Sequence, residues 1–216
     1  MTDETQLLGI SNAIVDVLAQ VDERFLKEIG APRGSMTLID KDRAHEIYGM
    51  MNATTEMSGG SVANSIAGFA TLGGAAAYIG QVKKDQLGDV FRTDMQSLGV
   101  DIRLLPAADG SPTARCHVLI DADGQRTMQT YLGACTELGV ADVTTATVGA
   151  PTVILLEGYV WDIAEGPALA TAAIEIARAN GSKVALSLSD SFCVQRHREA
   201  FHGVVKNGVD IVVADE

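Results

Sequence analysis

Three groups of residues in this chain have the types and spacing to do chemistry. The first is Gly59-Gly60, followed by Ser61 and, four positions after the second glycine, Asn64. Paired glycines turn tightly and let a ligand approach the backbone with no Cβ in the way. Ser61 is a suitable N-cap for a helix. The free N–H groups of the loop and the Asn64 amide, one turn in, are expected to face one space. An amide that both donates and accepts suits a neutral polyol better than a bare anion. The second group is Asn12 and Asp16, four apart in an apolar run and so on one face of a strand. Two polar side chains there need partners, either backbone at a strand end or the hydroxyls of a ligand. The third group is Glu157, Asp190, Asp215 and Glu216, each directly after an apolar β-rich run. Carboxylates gathered on one rim suit work with hydroxyls, Mg²⁺ or both; singly, each could equally open a solvated loop.

These groups need elements to position them. Leu7 to Val21 reads as one long strand. A short helix over Glu23 to Ile29, a strand over Ser35 to Asp40 and a helix over Asp42 to Met51 follow. Ser61 to about Leu72 is a helix with Val62, Ile66 and Phe69 on one side, ended by Gly73-Gly74. Ala75 to Val82 is a buried strand, Gln86 to Leu98 a helix and Val100 to Leu105 a strand. Thr113 to Asp121 and Arg126 to Tyr131 flank Asp-Ala-Asp-Gly, a hairpin signal, with Arg115 and Arg126 on its arms. From Val153 the pattern alternates: strands at Val153 to Leu156, Lys183 to Leu188 and Asp210 to Ala214, helices at Ile163 to Asn180 and Val194 to Lys206. That alternation means a parallel sheet covered on both faces, with ligands outside the carboxyl ends of its strands.

At 216 residues the chain suits one domain, and its 47% apolar content is that of a globular protein. A formal charge of −12 argues against nonspecific nucleic-acid binding. Cys116, Cys135 and Cys193 are odd in number and widely spaced, which disfavours a disulfide framework or zinc site and points to a reducing compartment. The N-terminus lacks the parts of a signal peptide, and no apolar run is long enough to span a membrane. A cytoplasmic location is expected. His45, His117, His197 and His202 show no metal-ligand spacing. No Walker A sequence and no G-x-S-x-G elbow occurs.

The stretch from Met57 to Gly88 resembles the first signature of the PfkB (ribokinase-like) family of carbohydrate and nucleoside kinases. The Gly-Gly pair, Asn64 and the later Leu72-Gly73-Gly74 leading into a strand carry the resemblance. Val62, Ile66 and Lys83 depart from the general pattern toward its adenosine-kinase-like branch, as does LLEGYVWD followed by SLSD. The resemblance implies a ribokinase-like α/β fold, mainly a parallel sheet between helices, as a single domain over residues 1–216. It implies a small β lid from strands within about 12–40 and 113–131. It implies ATP-dependent phosphorylation of a sugar or nucleoside hydroxyl, with ATP and Mg²⁺ as cofactors. Asn12, Asp16, Gly59, Gly60, Asn64 and Glu157 would then bind the acceptor, and Asp190, Asp215 and Glu216 would serve the cofactor. A lid of this kind can pair with a partner lid as a homodimer.

The family's second signature, a Gly-Ala-Gly-Asp loop whose Asp is the general base, has no match here, and the resemblance covers about two-thirds of a typical member. The general base is expected beyond Glu216, the strand at Asp210 to Ala214 would be a raw edge, and a truncated gene or fragment is the expected explanation. The 216-residue chain alone is then expected to be inactive. The alternative is a noncatalytic module that binds a sugar or nucleoside, or a fragment without function.

Overall fold

The computed structural model describes residues 5–214. Asp215 and Glu216 lie outside the described residues. The apolar run at the N-terminus is two strands in two different sheets: β1 (Leu7–Ile10) and β2 (Ile14–Gln20), separated by Ser11, Asn12 and Ala13. The expected single strand over Leu7 to Val21 is corrected accordingly, and Asn12 sits in the break instead of on a strand face shared with Asp16. A continuous apolar run carries no period, so nothing in its pattern marks where one sheet is left for another.

Along the chain then come α1 (Glu23–Glu28), β3 (Met36–Leu38), α2 (Lys41–Met50), β4 (Thr55–Gly59), α3 (Ser61–Thr71), β5 (Ala76–Ile79), α4 (Gln86–Ser97), β6 (Asp101–Ile102), β7 (Ala114–Ile120) and β8 (Arg126–Tyr131). The later part holds α5 (Thr145–Val148), β9 (Val153–Glu157), α6 (Gly166–Asn180), β10 (Lys183–Ser187), α7 (Ser191–Asn207) and β11 (Ile211–Val213). Aspartates start four of the helices: Asp22, Asp40, Asp85 and Asp190 each accept a hydrogen bond from a first-turn N–H.

The larger sheet runs β11-β10-β9-β1-β5-β6, and its pairs are parallel. Side chains alternate between its faces. Ala77 and Ile79 of β5 join Leu8, Ile10, Ile154 and Leu156 under α6 and α7, where Trp161 meets Phe201 edge to face. Ala76 and Tyr78 face the other way, onto Val62 and Ile66 of α3 and Phe91 and Met95 of α4. Helices therefore cover both faces, as the alternating pattern requires.

The smaller sheet runs β3-β8-β7-β2-β4. One face is covered: Val15 and Val17 pack with the α4 core, and Leu119 packs with Leu26 and Ile47 of α1 and α2. The opposite face carries Asp16 beside Met57 and Cys116 in register, and its neighbours Met36, Leu38 and Met57 are exposed. The hairpin tip is held by Asp121, which accepts from the N–H groups of Asp123 at 2.9 Å and Gln125 at 3.0 Å and pairs with Arg33. β4 is an addition to the expected lid strands, because Thr55–Gly59 is short and polar. No helix among the described residues is long and apolar enough to cross a membrane.

Candidate functional site

The break between β1 and β2 lies at the carboxyl end of the larger sheet, and three polar groups converge there. Ser11 and Asn12 are buried. The Ser11 hydroxyl pairs with the Tyr78 phenol at 2.9 Å. The Asn12 N–H donates to Glu157 Oε1 at 3.0 Å, while Asn12 Oδ1 is buried with no hydrogen-bond partner. A buried acceptor left unpaired is costly unless something else donates to it.

Glu157 ends β9, level with Ser187 of β10, and is 1% exposed. Its carboxylate accepts from Asn12 N–H, the Ser61 hydroxyl and the Val62 N–H. Burial raises its pKa above the usual carboxylate range, and those three donors offset only part of that rise. Glu157 thus ties together the end of β1, the end of β9 and the first turn of α3. Sequence reading placed Glu157 near the substrate but could not see these partners, which lie 145 and 96 residues away.

The glycine pair enters the same cluster. A Cβ on Gly59 would fall 2.4 Å from Asp16 Cγ, so the Asp16 carboxylate lies directly on the glycine Cα. Gly60 caps α3 at φ +102°, and a Cβ there would fall 2.7 Å from the Asn12 carbonyl oxygen. The cap position thus belongs to Gly60, and Ser61 is the first helical residue, its hydroxyl turned to Glu157. Asp16 itself is half-buried on β2, and its carboxylate accepts no hydrogen bond among the described residues. Burial raises its pKa, and the charge of Arg126 works against that shift. Arg115 lies on the other face of β7, its guanidinium over the Tyr48 ring, and so does not share the Asp16 face.

Asn12, Asp16, Gly59, Gly60 and Glu157 are therefore brought together. Asn64 is one turn further into α3, exposed, with its N–H donating to the Gly60 carbonyl at 2.9 Å. Asp190 stands apart. One oxygen accepts from Cys193 N–H at 2.7 Å to cap α7, and the other accepts from the Tyr159 hydroxyl at 2.9 Å. Asp190 directly before a helix was a capping signal available in the sequence. Glu157 and Asp190 are thus both engaged by the protein itself, and they do not form a ligand set suited to Mg²⁺.

Asp162, Cys193 and His197 bring ligand atoms within 4.8 Å of one another. Arg196 holds both Asp162 oxygens, at 3.1 and 2.6 Å, and His197 Nε2 lies 2.6 Å from Oδ1. A guanidinium already on the carboxylate opposes a cation there, so the cluster acts as a staple between α7 and the 3-10 turn Gly158–Asp162. A surface cavity of about 450 Å³, lined by Gln20, Phe25, Met50 and Asn52, lies at the other end of β2 and holds none of the convergent groups.

A family profile described as pfkB family carbohydrate kinase matches residues 35–216. Guanosine-inosine kinase of Escherichia coli (strain K12) is 24% identical over 226 residues, covering 100% of this chain and 52% of the relative. The crystal structure of adenosine kinase from Sinorhizobium meliloti superposes with a TM-score of 0.88 at 45% identity, over 97% of this chain and 64% of that one. A probable sugar kinase protein from Rhizobium etli CFN 42 gives 0.88 at 42% identity, over 98% and 64%. The chain thus spans about half the length of the curated relative and under two-thirds of the solved ones. The mostly parallel sheet flanked by helices is the fold of that adenosine kinase structure.

Proposed function

The chain belongs to the pfkB family of carbohydrate kinases, and from that membership we propose that it carries the acceptor site of an ATP-dependent kinase for a sugar or nucleoside hydroxyl. The observation that carries the reading is the half-buried Asp16 carboxylate, unpartnered and resting on Gly59, close to a strand break that also holds the unpartnered Asn12 Oδ1. Both are acceptors, and a vicinal diol supplies the two donors they lack. Gly60 and the first turn of α3 complete the floor, with Asn64 at the rim. Among neutral diols we favour a nucleoside, because the solved adenosine kinase from Sinorhizobium meliloti is 45% identical over nearly the whole chain.

In this reading Asp16 and Asn12 orient the acceptor so that one of its hydroxyls points to the phosphoryl donor. Phosphoryl transfer depends chiefly on such positioning and on electrostatic stabilisation. ATP is the donor that the family membership supports. The described carboxylates do not assemble a Mg²⁺ site, so no step is assigned to a metal here. The open face of the smaller sheet, with Met36, Leu38 and Met57, would either close over the acceptor or meet a partner lid; sedimentation velocity with and without ligand separates the two. The three buried, unpaired cysteines are consistent with residence in a reducing cytoplasm.

The test is isothermal titration of the chain with adenosine, guanosine, inosine, ribose and fructose, alone and in the Asp16→Ala variant. Binding of one of these with a loss of about tenfold or more in the variant supports the assignment, since a hydrogen bond to a charged group is worth roughly 1.5–3 kcal/mol. Unchanged affinity refutes the role of Asp16. Saturable binding with no ATP-dependent phosphorylation is expected of this chain under the kinase reading and the noncatalytic-module reading alike, and phosphorylation by the chain would rule out the latter.

A further inference from the structure

Asn12 Oδ1 must be aimed if it is to meet an acceptor, yet Ser11, Asn12 and Ala13 lie between β1 and β2 and belong to neither strand. The Ser11 N–H donates to the Ile79 carbonyl of β5 at 3.1 Å, which fixes the peptide unit before Ser11. The next unit carries the Ser11 carbonyl and the Asn12 N–H, and side chains hold both of its ends. The Tyr78 hydroxyl donates to the Ser11 carbonyl at 3.2 Å, and the Asn12 N–H donates to Glu157 Oε1 at 3.0 Å. Tyr78 belongs to β5 and Glu157 to β9, the two strands that flank β1. The larger sheet thus continues past β1 on side-chain atoms in place of backbone ones. A peptide unit is planar, and its C=O and N–H point to opposite sides. Held at one end it can still tilt; held at both it sets the direction in which the Asn12 side chain leaves the backbone.

Tyr78 is completely buried, and burial pushes its pKa well above the ordinary phenol value, so the proton stays on to be donated. With that proton on the carbonyl, the Ser11 hydroxyl is the donor in its 2.9 Å contact with the phenol oxygen. The ring packs on Phe91, with centroids 5.5 Å apart. Gly80 leaves the phenol its room: a Cβ there would fall 2.6 Å from Tyr78 Cε1 and 2.7 Å from the Ser11 carbonyl oxygen.

We infer that Tyr78 is a positioning residue for the acceptor: through the Ser11–Asn12 peptide unit its hydroxyl orients Asn12 Oδ1 toward an acceptor hydroxyl, without touching the acceptor itself. The inference rests on the acceptor-site reading above. Nothing in the apolar run from Ala75 to Val82 marks Tyr78 out; its role comes from a contact 67 residues away in sequence.

The probe is whichever of adenosine, guanosine, inosine, ribose and fructose the unaltered chain binds most tightly, measured by titration calorimetry beside thermal unfolding. Tyr78→Phe keeps the ring and its packing on Phe91 and removes only the hydroxyl. It is expected to weaken acceptor binding by about three- to tenfold. That loss should shrink to within about 1.5-fold when Asn12 is already alanine, and persist in full beside Asp16→Ala. Ser11→Ala removes the other hydroxyl of the same buried contact but leaves the phenol on the carbonyl. It is expected to lower the unfolding temperature as Tyr78→Phe does, while keeping affinity within about twofold. A general loosening of the strand break would instead weaken binding in the Asn12→Ala background too, and in Ser11→Ala as much as in Tyr78→Phe; either result overturns the inference. Unchanged affinity in a folded Tyr78→Phe overturns it as well, and a loss beyond twofold in Ser11→Ala does so whether or not Tyr78→Phe folds. Binding of none of the five compounds by the unaltered chain would refute the acceptor-site reading itself, and this inference with it.

Discussion

Gly59→Ala isolates the contact on which the site turns. The new methyl carbon would fall 2.4 Å from Asp16 Cγ and 2.5 and 2.6 Å from its two oxygens, well inside any real Cβ contact. The backbone at Asp16 cannot step aside easily, because β2 is paired on both sides, Asp16 opposite Met57 of β4 and Cys116 of β7. Gly59 has no positive φ, so alanine is tolerated by the main chain and slightly disfavours the unfolded state, by about 0.4–1 kcal/mol. Relief must therefore come from rotation of the Asp16 side chain away from its seat. That costs little stability but removes a charged hydrogen bond to the acceptor, roughly 1.5–3 kcal/mol. At about 1.4 kcal/mol per decade, affinity should fall about tenfold to 150-fold. Calorimetric titration with the acceptor, run beside thermal unfolding by circular dichroism, reads both quantities. A variant that unfolds near the parent temperature and binds within about twofold of it would refute the reasoning. So would a fall of more than about 10 °C, which would show the clash passing into the sheet.

Further outcomes follow from other contacts. Glu157→Ala leaves the Asn12 and Val62 amides buried without their acceptor, and urea unfolding should show a loss of at least about 2 kcal/mol; a loss under about 0.5 kcal/mol would mean that they find other partners. Asp190→Ala removes the α7 cap and the Tyr159 partner and should cost about 1–2 kcal/mol in the same assay. His117 is fully buried under Tyr48, and burial and the Arg115 charge hold its pKa down at about 4, against 6.5 ordinarily. The native state refuses a proton that the unfolded chain accepts, so this contribution is full above pH 6.5 and is lost as pH falls through about 4. It amounts to about 3 kcal/mol, and His117→Phe should flatten that part of the stability–pH curve. Cys116, Cys135 and Cys193 are buried, and burial pushes all three thiols up, Cys116 to about 11 and Cys193 to about 12. A thiol reagent at neutral pH should label them only as fast as the protein unfolds, and prompt native labelling of Cys193 would contradict its packing.

The parallel sheet and its helices were legible because the apolar runs at Val153 to Leu156 and Lys183 to Leu188 are short, bounded, and each followed by a helix-period stretch ended by glycine. The hairpin was legible from Asp121-Ala-Asp-Gly124, and the structure shows why: the Asp121 side chain accepts the turn's own N–H groups. The division of Leu7 to Val21 between two sheets was not legible. Its only trace is Ser11-Asn12, two polar residues inside an apolar run, and their burial is explained by Tyr78 and Glu157, far away in sequence.

Gly59-Gly60 were readable as a loop that could admit a ligand, and their cause is closer at hand. The space beside each glycine is filled by the protein: the Asp16 carboxylate at Gly59, the Asn12 carbonyl at Gly60. The pair is thus a mould of the strand break, with Asp16 and the Asn12 carbonyl seated against glycines that come later in the chain. Glu157 closes the arrangement by holding Asn12, Ser61 and Val62 on one carboxylate. A side chain at either glycine would disturb Asp16 or Asn12 before it met any ligand. Substitutions at Gly59 and Asp16 should therefore couple in a double-mutant cycle, because the two residues are in direct contact, instead of adding as separated sites do.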